Sequence, residues 1–386
     1  MKRYTREQIP ITPEVLKWAR ERAGFSLEEV LEDFSKIEKW ESGKSFPTYP
    51  QLERLSNKFK VPVAVFFFPE PPNVPPTRNS FRTLPDARFD QLPSEIRFLL
   101  RKAKVFQINL SELNDEMNPA ERFILNDLHF SQDMDITAMA RRVRDYLDIS
   151  FKTQMGWDNA DVAFEAWREV LEHHGVAIFK DAFGNDLFSG FCMYDETFPV
   201  IYINNSSSKT RQIFTLFHEL AHILFHTSGI DMRSGEPGED LSPSGRRIEV
   251  ICNRFSAEFL FPMSLFKKDI RSRAPNEKTA KLLAERYHVS RESVFKRFLD
   301  SNLITADEYS NFTQTREEHG RYKGGNHYWT KIANLGTNYI NLAFSRYHQN
   351  HITKPELADY LDTKVKNLPQ LEILSQPAER CSHQCD

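Results

Sequence analysis

Four cysteines in 386 residues are too few for a disulfide framework. Two of them, Cys192 and Cys252, sit in apolar stretches expected to be buried, where a thiol behaves as a small hydrophobe in a reducing compartment. No apolar run approaches the roughly eighteen residues that a membrane-spanning helix needs. Met1 to Ile11 is polar and lacks the apolar stretch of a signal peptide. The expectation is a cytoplasmic protein with no membrane partner. An excess of either charge is also missing: 51 Lys+Arg stand against 54 Asp+Glu, which excludes a broadly basic, non-specific nucleic-acid binder. No internal repeat is evident. A length of 386 with 40% hydrophobic residues suggests two or three domains.

Against that background one segment stands out. Phe217-His218-Glu219-Leu220-Ala221-His222 reads HExxH within the apolar stretch Ile213 to Phe225, which is expected to be a buried helix. Four residues are slightly more than one helical turn, so His218 and His222 project from one face with imidazoles close enough to share an ion. Glu219 is placed to take a proton from water rather than to ligate metal. This pattern points to a zinc-dependent hydrolase, with two histidines on a core helix as the bland alternative.

A catalytic zinc needs a third protein ligand and an open position. His226 continues the spacing, but eight residues of unbroken helix rise about 12 Å, too far for His218 and His226 to hold one ion. It reads instead as a helix-end residue near the negative pole of the dipole. A better candidate lies downstream. Ile248, Ile251, Cys252, Phe255, Phe259 and Leu260 follow a helical period that Pro262 stops. Glu249 and Asn253 fall one turn apart on that helix, suited to a ligand and a polar group that orients it or a histidine. The alternative is a solvated Glu on an ordinary amphipathic helix, which is how Glu258 reads.

HELAHILFH followed by ExxCNxFSAEFLFP resembles the ImmA/IrrE family of intracellular metallopeptidases. Ser189-Gly190-Phe191 and Pro199-Val200-Ile201-Tyr202-Ile203-Asn204 are similar to the strands that lead into that family's zinc helix. The resemblance is close over roughly Val162 to Ser264. It implies Zn2+ held by His218, His222 and, as the Glu four residues before the Asn, Glu249. Ala221 stands where the family often has Gly, a departure without chemical consequence.

The N-terminal stretch reads as a separate helical unit. Thr12-Pro13 opens a helix to about Ala23, Gly24 ends it, and Ser26-Leu27-Glu28-Glu29 forms a capping box for the next. Ile37, Trp40 and Gly43 suggest a third helix, and Pro47 to Lys60 a fourth with Leu52, Leu55 and Phe59 inward. This segment, roughly Ile11 to Phe68, resembles the Xre/Cro-type helix-turn-helix family, an arrangement known ahead of ImmA/IrrE-type peptidases. Between Gly24 and Trp40 it is about four residues shorter than the usual pattern, and the loss falls where the recognition helix begins. Lys36, Lys39 and Lys44 remain as candidate phosphate contacts, so modest DNA binding through this unit is one expectation. A protein-interaction or dimerisation module, giving a homodimer, is the other.

The chain then turns Pro-rich, and Phe66-Phe67-Phe68 is expected to pack across the peptidase domain. Phe81-Arg82-Thr83 is similar to a segment of the family. Helices are expected over Pro93–Met117, Ile136–Leu147 and Ala160–His174. Three strands follow, near Val176–Lys180, Leu187–Met193 and Val200–Asn204. Further on, Thr279 to Leu299 has helix-turn-helix spacing, with Ser290 as N-cap and Arg291, Lys296 and Arg297 on its second helix, though a helical lid is the favoured reading. Gly324 to Leu371 is helical without assignable chemistry. Cys381, His383 and Cys385 could bind metal, but three ligands at a chain end more often bind nothing.

The expected architecture is mainly α with a small β-sheet (α+β): a zincin-like core with N-terminal helix-turn-helix and C-terminal helical domains. The expected boundaries are an N-terminal unit at 1–68, a linker at 69–90, the peptidase at 91–273, a helical segment at 274–320 and a tail at 321–386. Family resemblance implies a protein substrate, typically a helix-turn-helix repressor whose cleavage switches on stress, mobile-element or defence genes. Two alternatives are a transcriptional regulator or antitoxin-like partner whose peptidase fold mainly binds another protein, and an interaction scaffold with structural zinc. The intact Glu219 speaks against the first, and a three-ligand site with an open position against the second.

Overall fold

A computed structural model describes residues 8–73, 92–232, 243–314 and 326–376. The expected FRT segment at 81–83, Gly324-Gly325 and the Cys381, His383, Cys385 tail lie outside them. The fold is mostly helical around a small mixed sheet, and among the described residues no helix is long and apolar enough to cross a membrane. The chain divides into two compact units, 1–79 with 85–102, and 80–84 with 103–386. The sequence boundary proposed at 273/274 falls inside the second.

In the first unit α1 (Pro13–Ala23) ends at Gly24, whose φ of 86° a side chain would resist. The Ser26 capping box then starts α2 (Leu27–Leu31): the Ser26 hydroxyl accepts from the Glu29 N–H at 3.2 Å, and the Glu29 carboxylate accepts from the Ser26 N–H at 2.7 Å. α3 (Ile37–Glu41) is followed by α4 (Tyr49–Phe59). The latter begins two residues later than expected, because Thr48 takes the N-cap and Pro50 the first turn. Leu16, Ala19, Val30, Ile37, Trp40, Leu52, Leu55 and Phe59 form the core. Phe66 belongs to this same core, while Phe67 and Phe68 are exposed. A 3-10 turn, Val63–Phe67, brings Phe66 back onto α1, where the Thr12 N–H donates to the Phe66 carbonyl at 3.0 Å. Lys36, Lys39 and Lys44 are exposed on or beside α3.

The second unit is built on strands β1 (Ala177–Asp181), β2 (Phe188–Met193), β3 (Val200–Asn204) and β4 (Ile230–Met232), in the order β1-β3-β2-β4. β1 runs parallel to β3, while β2 is antiparallel to both β3 and β4. β4 is an addition to the three strands expected. Every residue of β2 and β3 is buried, so their continuous apolar runs reflect a sheet covered on both faces. On one face Ile201, Ile203 and Cys192 meet the helix Lys209–Leu224. On the other Phe179 stacks on Phe106 at 4.6 Å and meets Tyr339 edge-on at 5.2 Å. Gly190 allows the close approach of the helix, since a Cβ there would fall 2.6 Å from Thr215 Cγ2.

The helices Glu277–Tyr287 and Arg291–Asp300 share this core: Leu283, Tyr287, Val294 and Phe298 pack in one cluster with Phe261 and Phe266. Ser290 caps the second helix as expected, accepting from the Ser293 N–H at 3.0 Å. Arg297 does not face solvent on it. Its guanidinium pairs with Glu258 at 3.1 Å and donates to the Phe261 carbonyl, and Glu258 also accepts from the Met263 N–H. Glu258 is thus a buried-pair and capping residue rather than the solvated one its sequence suggested. The helices between His327 and Ser375 dock through Arg168, which donates to the Ala333 carbonyl at 2.8 Å, and through Asn109, which donates to the Tyr339 hydroxyl at 3.2 Å.

Candidate active site

The helix Lys209–Leu224 is specified at its start by Ser208, whose hydroxyl accepts from the Arg211 N–H, and beyond its end by His226 at φ 56°. Ile213, Leu216, Phe217, Leu220 and Leu224 sink into the core. Phe217 lies 4.2 Å from Phe259 and edge-on to Trp167 at 4.9 Å, which fixes the rotation of the helix against its neighbour Pro243–Leu260. That rotation aims His218 and His222 at Glu249.

The three ligand atoms converge. His218 Nε2 and His222 Nε2 are 3.2 Å apart, and each lies 3.3 Å from a different oxygen of Glu249. An ion bound tetrahedrally at about 2.0–2.1 Å from its donors has donor–donor edges of about 3.3 Å. Each separation is close to that edge length, and one ligand atom from each residue lies within 4.8 Å of the others, so the three side chains could hold one ion; the donor set of two imidazoles and a carboxylate suits zinc. Both histidines are buried, whereas the Glu249 side chain keeps 21% exposure. Burial alone would raise the Glu249 carboxyl, but His222 and His218 outweigh it and hold the group well below the usual carboxylate range.

The groups that orient His222 were not read from the sequence. The Thr227 hydroxyl lies 3.3 Å from His222 Nδ1 and donates to the His222 carbonyl at 3.0 Å. Gly229 lies flat against the ring, since a Cβ there would come within 2.9 Å of its Cγ and Cδ2. Cys252, one turn from Glu249 on the same helix, is buried beside His222. A signal for Thr227 and Gly229 existed in their position just beyond the helix end, where a cap and a turn are needed. Asn253, expected to orient the site, is exposed, and no hydrogen bond joins it to the triad among the described residues. The arc of the helix that faces His222 carries Cys252 instead.

Glu219 is fully buried on the motif helix, next to His218. Cys192 on β2 lies beside its carboxylate; burial first, and then Glu219, push that thiol far above its ordinary value and keep it neutral. His226 is exposed and stands outside the cluster of ligand atoms that lie within 4.8 Å of one another.

Residues 171–299 match the family model Peptidase_M78, described as the IrrE N-terminal-like domain. The match spans β1 through the helix Arg291–Asp300 and contains every residue of the triad. A search of curated proteins finds no match. The matched domain and the triad support a metallopeptidase-like function in general, in a family that is generally zinc-dependent.

Proposed function

We propose that the protein is a zinc-dependent endopeptidase of the cytoplasm that cuts a regulatory protein, with a DNA-binding repressor as the substrate class. The observation that carries the reading is the convergence of His218, His222 and Glu249 beside a buried carboxylate that is not among them, Glu219. When bound, a zinc ion supplies Lewis acidity to the attacking water and to the scissile carbonyl. Glu219 takes the water proton on a carboxylate oxygen and passes it to the leaving amine. Thr227 and Gly229 hold the His222 ring in place through the cycle, and the apolar wall of Phe217, Phe259 and Trp167 keeps the helix from turning. The substrate class rests on the resemblance of the two motif helices. The first unit, with Lys36, Lys39 and Lys44 exposed, is proposed to select that substrate or to touch nucleic acid weakly.

The test is a comparison of protein N-termini in cells producing the wild-type chain or Glu219→Gln. New termini in one or a few proteins, seen only with the wild type, support the reading. Identical termini under conditions in which both chains hold zinc would mean that the fold binds a partner without cutting it.

A further inference from the structure

His226 continues the histidine spacing of the motif helix but leaves the triad, and the structure gives it a different neighbour. One helical turn beyond His222, the chain bends at φ 56°, and the His226 ring swings out to meet His129. Nε2 of His226 and Nδ1 of His129 are 3.0 Å apart, with the rings edge-on at a centroid distance of 5.0 Å. Tyr194 stacks on the other side of His226 at 5.0 Å and 22°, which fixes the plane of the ring. Three chain segments therefore meet here: the stretch before the helix Ile136–Leu147, the end of the motif helix, and the turn after β2.

Two ring nitrogens that face each other can share only one proton, so one N–H satisfies one lone pair. A divalent ion can replace that proton and take a lone pair from each ring. The observed separation needs to open by only a few tenths of an ångström to reach the edge of about 3.3 Å that two imidazoles make around one tetrahedral ion. Both rings are exposed, so an ion reaches them from solution without opening the core. Burial and the neighbouring His129 hold the His226 imidazole below its ordinary value, so near neutral pH the ring is uncharged and keeps its lone pair. The Glu196 carboxylate is the acidic group whose charge reaches His226, and it favours a cation there. Asp195 is engaged elsewhere, accepting from the N–H groups of Thr197 and Phe198.

We propose that His129 and His226 form a second divalent-metal site, separate from the triad, that takes borderline transition ions such as Zn2+ or Ni2+. Imidazole donors suit these ions better than they suit hard cations such as Mg2+ and Ca2+, which take oxygen ligands. Two neutral donors bind more weakly than two imidazoles with a direct carboxylate, so this site fills after the triad. It lies one turn from His222, and Thr227 links the two through its bond to His222 Nδ1. A rise in free zinc beyond what the triad needs would therefore be registered at the end of the same helix.

The proposal does not depend on peptidase activity, and its test reads metal alone. Calorimetric titration of the full chain with Zn2+ should show a tight phase and a weaker one, two ions per chain in all. His129→Gln and His226→Gln should each remove the weak phase and keep the tight one. Glu249→Ala should weaken the tight phase and keep the weak one, which separates a failure of this site from a failure of the triad. A single ion per chain in the wild type would overturn the proposal. So would a weak phase that survives both His→Gln substitutions, since it would then belong to other surface groups.

Discussion

The Nε2 atom of His222 lies 3.3 Å from the carboxylate of Glu249, although the two residues sit on different helices joined by a long excursion through β4. No local rule of helix geometry brings them together. Their meeting depends on Phe217 packing against Phe259 at 4.2 Å, which registers one helix on the other. Phe259→Ala should therefore cost about 3–5 kcal/mol of stability and also loosen metal binding. Thermal unfolding with and without zinc checks both: the zinc-dependent rise in Tm should shrink relative to wild type.

Thr227→Val should lower zinc affinity roughly ten- to a hundredfold, the usual cost of losing a group that orients a ligating imidazole. Gly229→Ala should act in the same direction by pushing its new methyl against the His222 ring. Competition with a chromophoric chelator measures each. Unchanged affinity in both variants would mean that the helix alone orients His222.

Much of this site was legible in the sequence. HExxH within an apolar helix put His218 and His222 on one face beside Glu219, and the helical period around Glu249 offered the third member of the cluster. The helix boundaries at Gly24, Ser26 and Ser290 followed from capping rules that act within a few residues. What was not legible depends on partners distant in the chain. Periodicity shows which face of a helix is buried but not what it meets, so Glu258 looked solvated although Arg297 covers it. β4 is three residues long, too short to show an alternation. Phe66 was plainly apolar, but nothing local said that it would turn back onto α1.

The Glu258–Arg297 pair gives a stability prediction. Both side chains are nearly covered, so removing one partner leaves the other charge buried and unpaired. Glu258→Ala or Arg297→Ala should each destabilise by roughly 3–5 kcal/mol, and the double substitution should cost less than the sum. Denaturant unfolding of the three variants decides it; additive losses would mean that the pair is solvated after all.

The depressed carboxyl of Glu249 sets the acid side of stability. Its folded value lies below the ordinary 4.5, so the pair with His218 and His222 contributes fully above that pH and is lost as pH falls through the lower folded value. Wild-type stability without added metal should fall more steeply below about pH 4.5 than that of Glu249→Gln. Parallel curves for the two chains would show that this carboxylate is not held by the histidines.

The most direct test of the account is zinc per chain, measured side by side in wild type, Glu219→Gln and Glu249→Ala after dialysis against a weak chelator that strips surface-bound ions. Glu249 belongs to the group of side chains that could hold a metal ion, and the buried Glu219 does not. The expected result is one zinc in wild type and in Glu219→Gln, and a sharp loss in Glu249→Ala. Retention of zinc by Glu249→Ala together with its loss in Glu219→Gln would exchange the roles of the two carboxylates and contradict the account.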